Sequence, residues 1–190
     1  MKEEKGFLNM STKNEAHIPS GRLLHAVIGL IAAVLLILFD QWSKYLVVHH
    51  LKGQSPVPLI SGVFELQYLE NRGAAFGIFQ GRRGFFLVIT VVFLLIAVWF
   101  YSKLPLNRRF LPLRIITVVL AAGAVGNMID RAANNYVVDF FYFKLINFPI
   151  FNVADIYVTV GAIGLILLLL FCYKEEDLNQ IFPSKNKDGD

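Results

Sequence analysis

Four apolar runs constrain what this chain can fold into: Leu23–Phe39, Phe85–Tyr101, Leu113–Ile129 and Ile156–Tyr173. Each has 17 or 18 residues. That is near the lower limit for a helix rising about 1.5 Å per residue to cross a hydrocarbon core roughly 30 Å thick. The apolar share of the chain is 56% and mean hydropathy is +0.56, against roughly 45–50% apolar in a soluble domain. The expected fold is therefore mainly α and polytopic. Four transmembrane helices, spanning about residues 23–39, 85–101, 113–129 and 156–173, would form one membrane domain over 23–173. Tails of residues 1–22 and 174–190 would flank it. A cleaved leader is the rival reading of the first run, with Lys13 and Arg22 as its basic flank. The run is longer than a usual leader core, however, and no Ala-x-Ala site follows it.

Four crossings return both ends to one side. Of the 18 lysines and arginines, eleven lie in the tails and the 102–114 loop and seven lie in the other two polar segments. Basic residues concentrate on the cytoplasmic side, so both termini are expected there, with 40–84 and 130–155 outside. The net charge of +4 forms no basic stripe interleaved with aromatics, which excludes a nucleic-acid surface. Cys172 is the single cysteine, which excludes an internal disulfide and a multi-cysteine metal site.

The outer segments are more than connectors. Val63–Tyr68 alternates, with Phe64, Leu66 and Tyr68 on one face, as a half-exposed strand would. The small-residue bend Asn71–Gly77 follows, and Pro56 and Pro58 restrict pairing on the entry side. A small β-flap over about 57–80, lying on the outer membrane surface, is expected. The Phe/Tyr-rich stretch Ala132–Pro149 between the third and fourth spans is expected to be a helix or loop half-sunk in the interface.

Ionisable residues at a membrane edge are costly and point to function, and three clusters fall on the outer side. Asp40 and Lys44 are one helical turn apart, as are Asn127 and Arg131. Asp139 and Asp155 lie in or beside the second outer segment, where a segment folding back could join them. Two carboxylates sharing a site cannot both ionise cheaply, so one keeps a proton while the other is charged. Such a pair can activate water and protonate a leaving amine. No zinc-protease, serine-hydrolase or P-loop motif competes with it, and neither a metal nor an organic cofactor is expected.

Structural readings stand beside these. Asp40 and Lys44 alone read more readily as a structural pair, and Gly123 and Gly126 as close helix packing. Asp130 reads as ordering a helix end, and His49 and His50 as solvated. Arg131 stands evenly between binding substrate and satisfying carboxylates or lipid phosphate. A small proton-coupled transporter would place its charges nearer the midplane. A plain membrane anchor gives no reason for two outer aspartates. A presenilin-type protease needs a Gly-x-Gly-Asp within a span, and the only Gly-Asp here is Gly189-Asp190.

Asp40-Gln41-x-x-Lys44, Asn71-x-Gly73-Ala74-Ala75-Phe76, Gly126-Asn127-x-x-Asp130-Arg131, Val137-Val138-Asp139-Phe140 and Phe151-Asn152-x-Ala154-Asp155 together resemble the ordered motif set of lipoprotein signal peptidase, a bacterial membrane aspartic protease. The resemblance covers about residues 23–173. It implies that Asp139 and Asp155 form the catalytic dyad, with Asn71, Gly73, Asn127, Arg131, Asn152, Asp40 and Lys44 binding substrate or supporting the site. It also implies the partner, a prolipoprotein cut just before a diacylglyceryl-modified cysteine, and a monomeric enzyme working in the bacterial cytoplasmic membrane, among its lipids. Ile156 departs from the small residue expected after the second aspartate, and the N-terminal tail is longer than the family needs.

Overall fold

The computed structural model describes residues 20–73 and 81–183. Four long helices carry the apolar runs: α1 (Ser20–Leu51), α2 (Arg83–Lys103), α3 (Leu111–Asn134) and α4 (Val153–Leu167), the last continued by a π-helical turn over Leu168–Cys172. All four are long and apolar enough to cross a membrane. Leu30, Leu95 and Val98 point outward, 65–69% exposed, whereas Asp40 and Asn152 are 0% exposed. This inside-out distribution suits lipid as the surrounding solvent, because only the polar groups need protein partners.

α3 is the central helix, with α1, α2 and α4 packed on it. Small residues allow the approach. A Cβ on Gly123 would sit 2.6 Å from the Ala154 carbonyl oxygen, and one on Gly126 would sit 2.5 Å from Asp40 Oδ2. Glycine here serves close packing in the membrane, and at Gly126 it also leaves room for a carboxylate.

The helices run further than the apolar runs suggest. α1 continues past Phe39 to Leu51 and α3 past Ile129 to Asn134. Asp40, Lys44 and Asn127 therefore lie inside helices, and Arg131 lies in the last turn of α3. Their polar groups find partners within the bundle, so polarity alone does not terminate the helix.

Three antiparallel strands lie in the order β1 (Val57–Ile60), β2 (Phe64–Asn71), β3 (Val137–Tyr142). The expected flap is thus a sheet, and residues 74–80 of it lie outside the described residues. β3 corrects the reading of 132–149 as a helix or loop. α3 ends on Asn135 in the left-handed region (φ 66°), and the chain then runs as Val-Val-Asp-Phe-Phe-Tyr. Its β-branched and aromatic residues favour a strand. No alternation betrays it, because Val137, Val138, Asp139 and Phe140 are all buried. The register sets Leu69 opposite Asp139 and Asn71 opposite Val137.

Beyond the fourth span, the stretch expected as a tail forms the short helix α5 (Glu175–Ile181). Ile181, 2% exposed, packs with Leu104, Phe110, Leu113 and Tyr173 in a second core. Arg109 ties α5 down through Asp177 at 2.8 Å. Residues 1–19 of the other tail lie outside the described residues.

Candidate active site

α4 opens on a capping box. The Asn152 side-chain oxygen accepts the Asp155 backbone N–H at 2.9 Å, and Asp155 Oδ2 accepts the Asn152 N–H at 3.1 Å. Asp serves where Glu or Gln is more usual. The cap fixes Asp155 at the mouth of the helix and leaves the Asn152 NH2 free to point elsewhere. It donates to Asp139 Oδ1 at 2.6 Å and to Asn127 Oδ1 at 3.1 Å. Asn127 in turn donates to Asp155 Oδ1 at 2.7 Å. A continuous path of amide hydrogen bonds thus joins Asp139 on β3, Asn152 at the start of α4, Asn127 on α3 and Asp155.

β2 completes the arrangement. Asn71 donates to Asp139 Oδ2 at 2.9 Å, and its own side-chain oxygen accepts the Gly73 N–H at 3.0 Å. All four oxygens of the two aspartates therefore accept an N–H. Arg131 donates to the Gly73 carbonyl oxygen at 3.1 Å and lies 4.5 Å from the centroid of the Phe86 ring. It thus orders the end of β2, and its charge also lies near Asp155, Asp139 and Asp130, as the carboxylate-satisfying reading expects.

Behind this layer lies a buried ion cluster. Lys44, 3% exposed, meets Asp40 Oδ2 at 2.9 Å, Asp130 Oδ2 at 3.0 Å and Asn127 Oδ1 at 3.0 Å. Asp40 accepts the Ala154 backbone N–H at 2.9 Å, and Asp130 accepts that of Val138 at 3.1 Å. Each structural acid therefore grips the residue just before one of Asp139 and Asp155. Gln41, which sequence reasoning quoted only as part of a motif, donates at 3.1 Å to Asp40, Asp130 and the Gly126 carbonyl. Its place next to Asp40 was a signal, but no helical period shows that it faces α3. His49 and His50 stay exposed at the end of α1, with His49 stacked on Tyr45.

Burial leaves Asp139 only 1% exposed. Desolvation, then the neighbouring Asp155 charge, raises its pKa to about 7, against the donors Asn71 and Asn152 and the Lys44 charge. A proton is thus easily kept within the pair near neutral pH, which suits acid–base work on water and a carbonyl. Among the described residues no group of three His, Cys, Asp or Glu side chains converges to hold a metal.

The family model described as signal peptidase (SPase) II, Peptidase_A8, matches residues 32–171. A lipoprotein signal peptidase of Brevibacillus brevis is 46% identical over 142 residues, covering 75% of this chain and 93% of the relative. One from Streptococcus pyogenes serotype M1 is 40% identical over 147 residues, covering 77% and 93%. A bacterial membrane enzyme solved by the in meso method at 2.3 Å resolution superposes with a TM-score of 0.68 at 32% identity, over 86% of this chain and 93% of that one.

Proposed function

From the premise that this chain belongs to the signal peptidase II family, we propose that Asp139 and Asp155 are its catalytic pair and that it cuts prolipoproteins just before a diacylglyceryl-modified cysteine. Membership makes it a membrane peptidase that removes signal peptides from lipoprotein precursors. The hydrogen-bonded path Asp139–Asn152–Asn127–Asp155 carries the assignment of the pair. It holds two carboxylates on separate elements in one site and orients both.

The charged member takes a proton from water, and the resulting oxygen attacks the scissile carbonyl. The protonated member donates a hydrogen bond to the carbonyl oxygen as it gains charge. Collapse of the tetrahedral intermediate breaks the C–N bond, and the amine leaves with a proton from the pair. One water is consumed, and the pair ends with the single proton it began with. Asn71 and Asn152 hold Asp139 in place, and Asn127 holds Asp155, so little reorganisation accompanies the change of charge. No cofactor takes part.

The site sits beside the ends of α1, α3 and α4, so a substrate could keep its acyl chains in lipid while its scissile bond meets the pair. The reading puts both termini in the cytoplasm, the site at the outer face of the bacterial cytoplasmic membrane, and a monomer at work. The test is cleavage by purified protein of a diacylglyceryl-modified prolipoprotein beside its unmodified precursor, with Asp139→Asn and Asp155→Asn as separate variants. Cleavage of the lipidated form alone, lost in each folded variant, is expected. A variant that still cuts would remove that aspartate from the mechanism.

A further inference from the structure

The ammonium of Lys44 has three N–H donors and meets three acceptors, on Asp40, Asp130 and Asn127, all within 2.9–3.0 Å. None is left for a substrate, and the side chain is 4% exposed. Lys44 therefore acts through its partners, and those partners lead to both aspartates. Asp40 holds the Ala154 N–H beside Asp155, and Asp130 holds the Val138 N–H beside Asp139. The third acceptor is more telling. Asn127 Oδ1 takes hydrogen bonds from both Lys44 and Asn152, so the Asn127 NH2 must face Asp155. With the Asn127 oxygen committed, the Asn152 NH2 bridges to Asp139, and its oxygen remains for the helix cap.

We propose that Lys44 is a positioning residue of this peptidase: by saturating its ammonium on Asp40, Asp130 and Asn127 it places both aspartates through their neighbouring backbone and sets the direction in which the asparagine amides donate to them. The inference rests on the assignment of Asp139 and Asp155 as the catalytic pair, and it goes further than charge balance. A cation anywhere in the cluster would offset part of the charge of Asp40 and Asp130. A compact ammonium at this point also donates to Asn127 Oδ1 and, together with Asn152, turns the Asn127 NH2 towards Asp155. A planar guanidinium presents its donors in a fork rather than from one point.

Charge near the pair matters too. The charged groups facing it are Lys44 and Asp40 from α1, Asp130 and Arg131 from α3, and the two aspartates themselves on β3 and α4. β2 contributes the uncharged Asn71. Removing the Lys44 cation makes it harder for the pair to hold a negative charge.

Two variants separate positioning from neutralisation, each assayed in purified protein on the lipidated prolipoprotein with its thermal midpoint recorded. Lys44→Arg keeps the charge. It is expected to stay folded, to keep a native-like pH profile and to lose about 10-fold or more in kcat with KM little changed. The neutral cluster Lys44→Met/Asp40→Asn/Asp130→Asn leaves no buried charge unpaired. It is expected to lose about 100-fold in kcat, again with KM little changed. Native kcat in Lys44→Arg, or native kcat in a folded neutral cluster, would overturn the proposal. Asp139→Asn in the same assay keeps the two readings apart. If it cuts as well as the native protein, the catalytic assignment fails whatever the Lys44 variants do.

Discussion

Asn152 holds Asp139 by a 2.6 Å hydrogen bond while it caps the helix that carries Asp155. One side chain thereby couples the start of α4 to β3 and bears directly on the distance between two carboxylates from different elements. Removing it should uncouple them.

Asn152→Ala deletes the cap, the bond to Asp139 and the bridge to Asn127 together. Loss of a cap costs roughly 0.5–2 kcal/mol. The effect on kcat should be disproportionately large, about 100-fold or more, because a preorganised donor to a reacting group is removed. Thermal unfolding beside steady-state cleavage checks this. A kcat loss no larger than that of a distant variant with the same drop in midpoint would contradict it.

With Asp139 raised to about 7 from an ordinary value of 3.8, the folded state binds a proton that the unfolded chain has released above about pH 4. The resulting stability is fully present below the unfolded value and is lost as pH rises through about 7. The thermal midpoint should therefore fall between about pH 4 and 7, with Asp139→Asn flattening that dependence. Cleavage should decline on the alkaline side of the same range, as the pair loses its shared proton. Midpoints and kcat/KM measured across these pH values test both.

Gly126→Ala should be far more damaging than Gly164→Ala. At Gly126 the new Cβ meets Asp40 Oδ2 at 2.5 Å, in a cluster whose bonds are all committed. At Gly164 it meets the end of the Ile116 side chain at 3.1 Å, which can turn aside. Activity should fall sharply in the first and stay close to native in the second.

Ile181→Ala should lower stability by about 2–4 kcal/mol, since the side chain is 2% exposed within the second core. kcat should be unchanged, because that core joins the α2–α3 loop to α5 at the end of the bundle away from the aspartates. A kcat change beyond about twofold in a folded variant would show the two ends to be coupled.

What the sequence determined by itself were the terms set by composition and local chemistry. Four apolar runs dictate four helices, because a backbone in lipid must satisfy its own hydrogen bonds. The alternation Phe64–Tyr68 announces a strand, and the polar motifs name nearly every residue of the site. Asp139 and Asp155 could be paired on paper, but sixteen intervening residues allow many geometries. The tertiary structure decided the rest. β3 was hidden because a strand buried on both faces shows no alternation. α5 was hidden because its buried apolar residue, Ile181, finds its core on other helices. The partners of Lys44 beyond Asp40 were hidden because acceptors from two helices meet at one ammonium. A hydrogen bond between residues far apart in the chain depends on where the backbones lie, and these were placed by the packing of α1 and α4 on the glycines of α3.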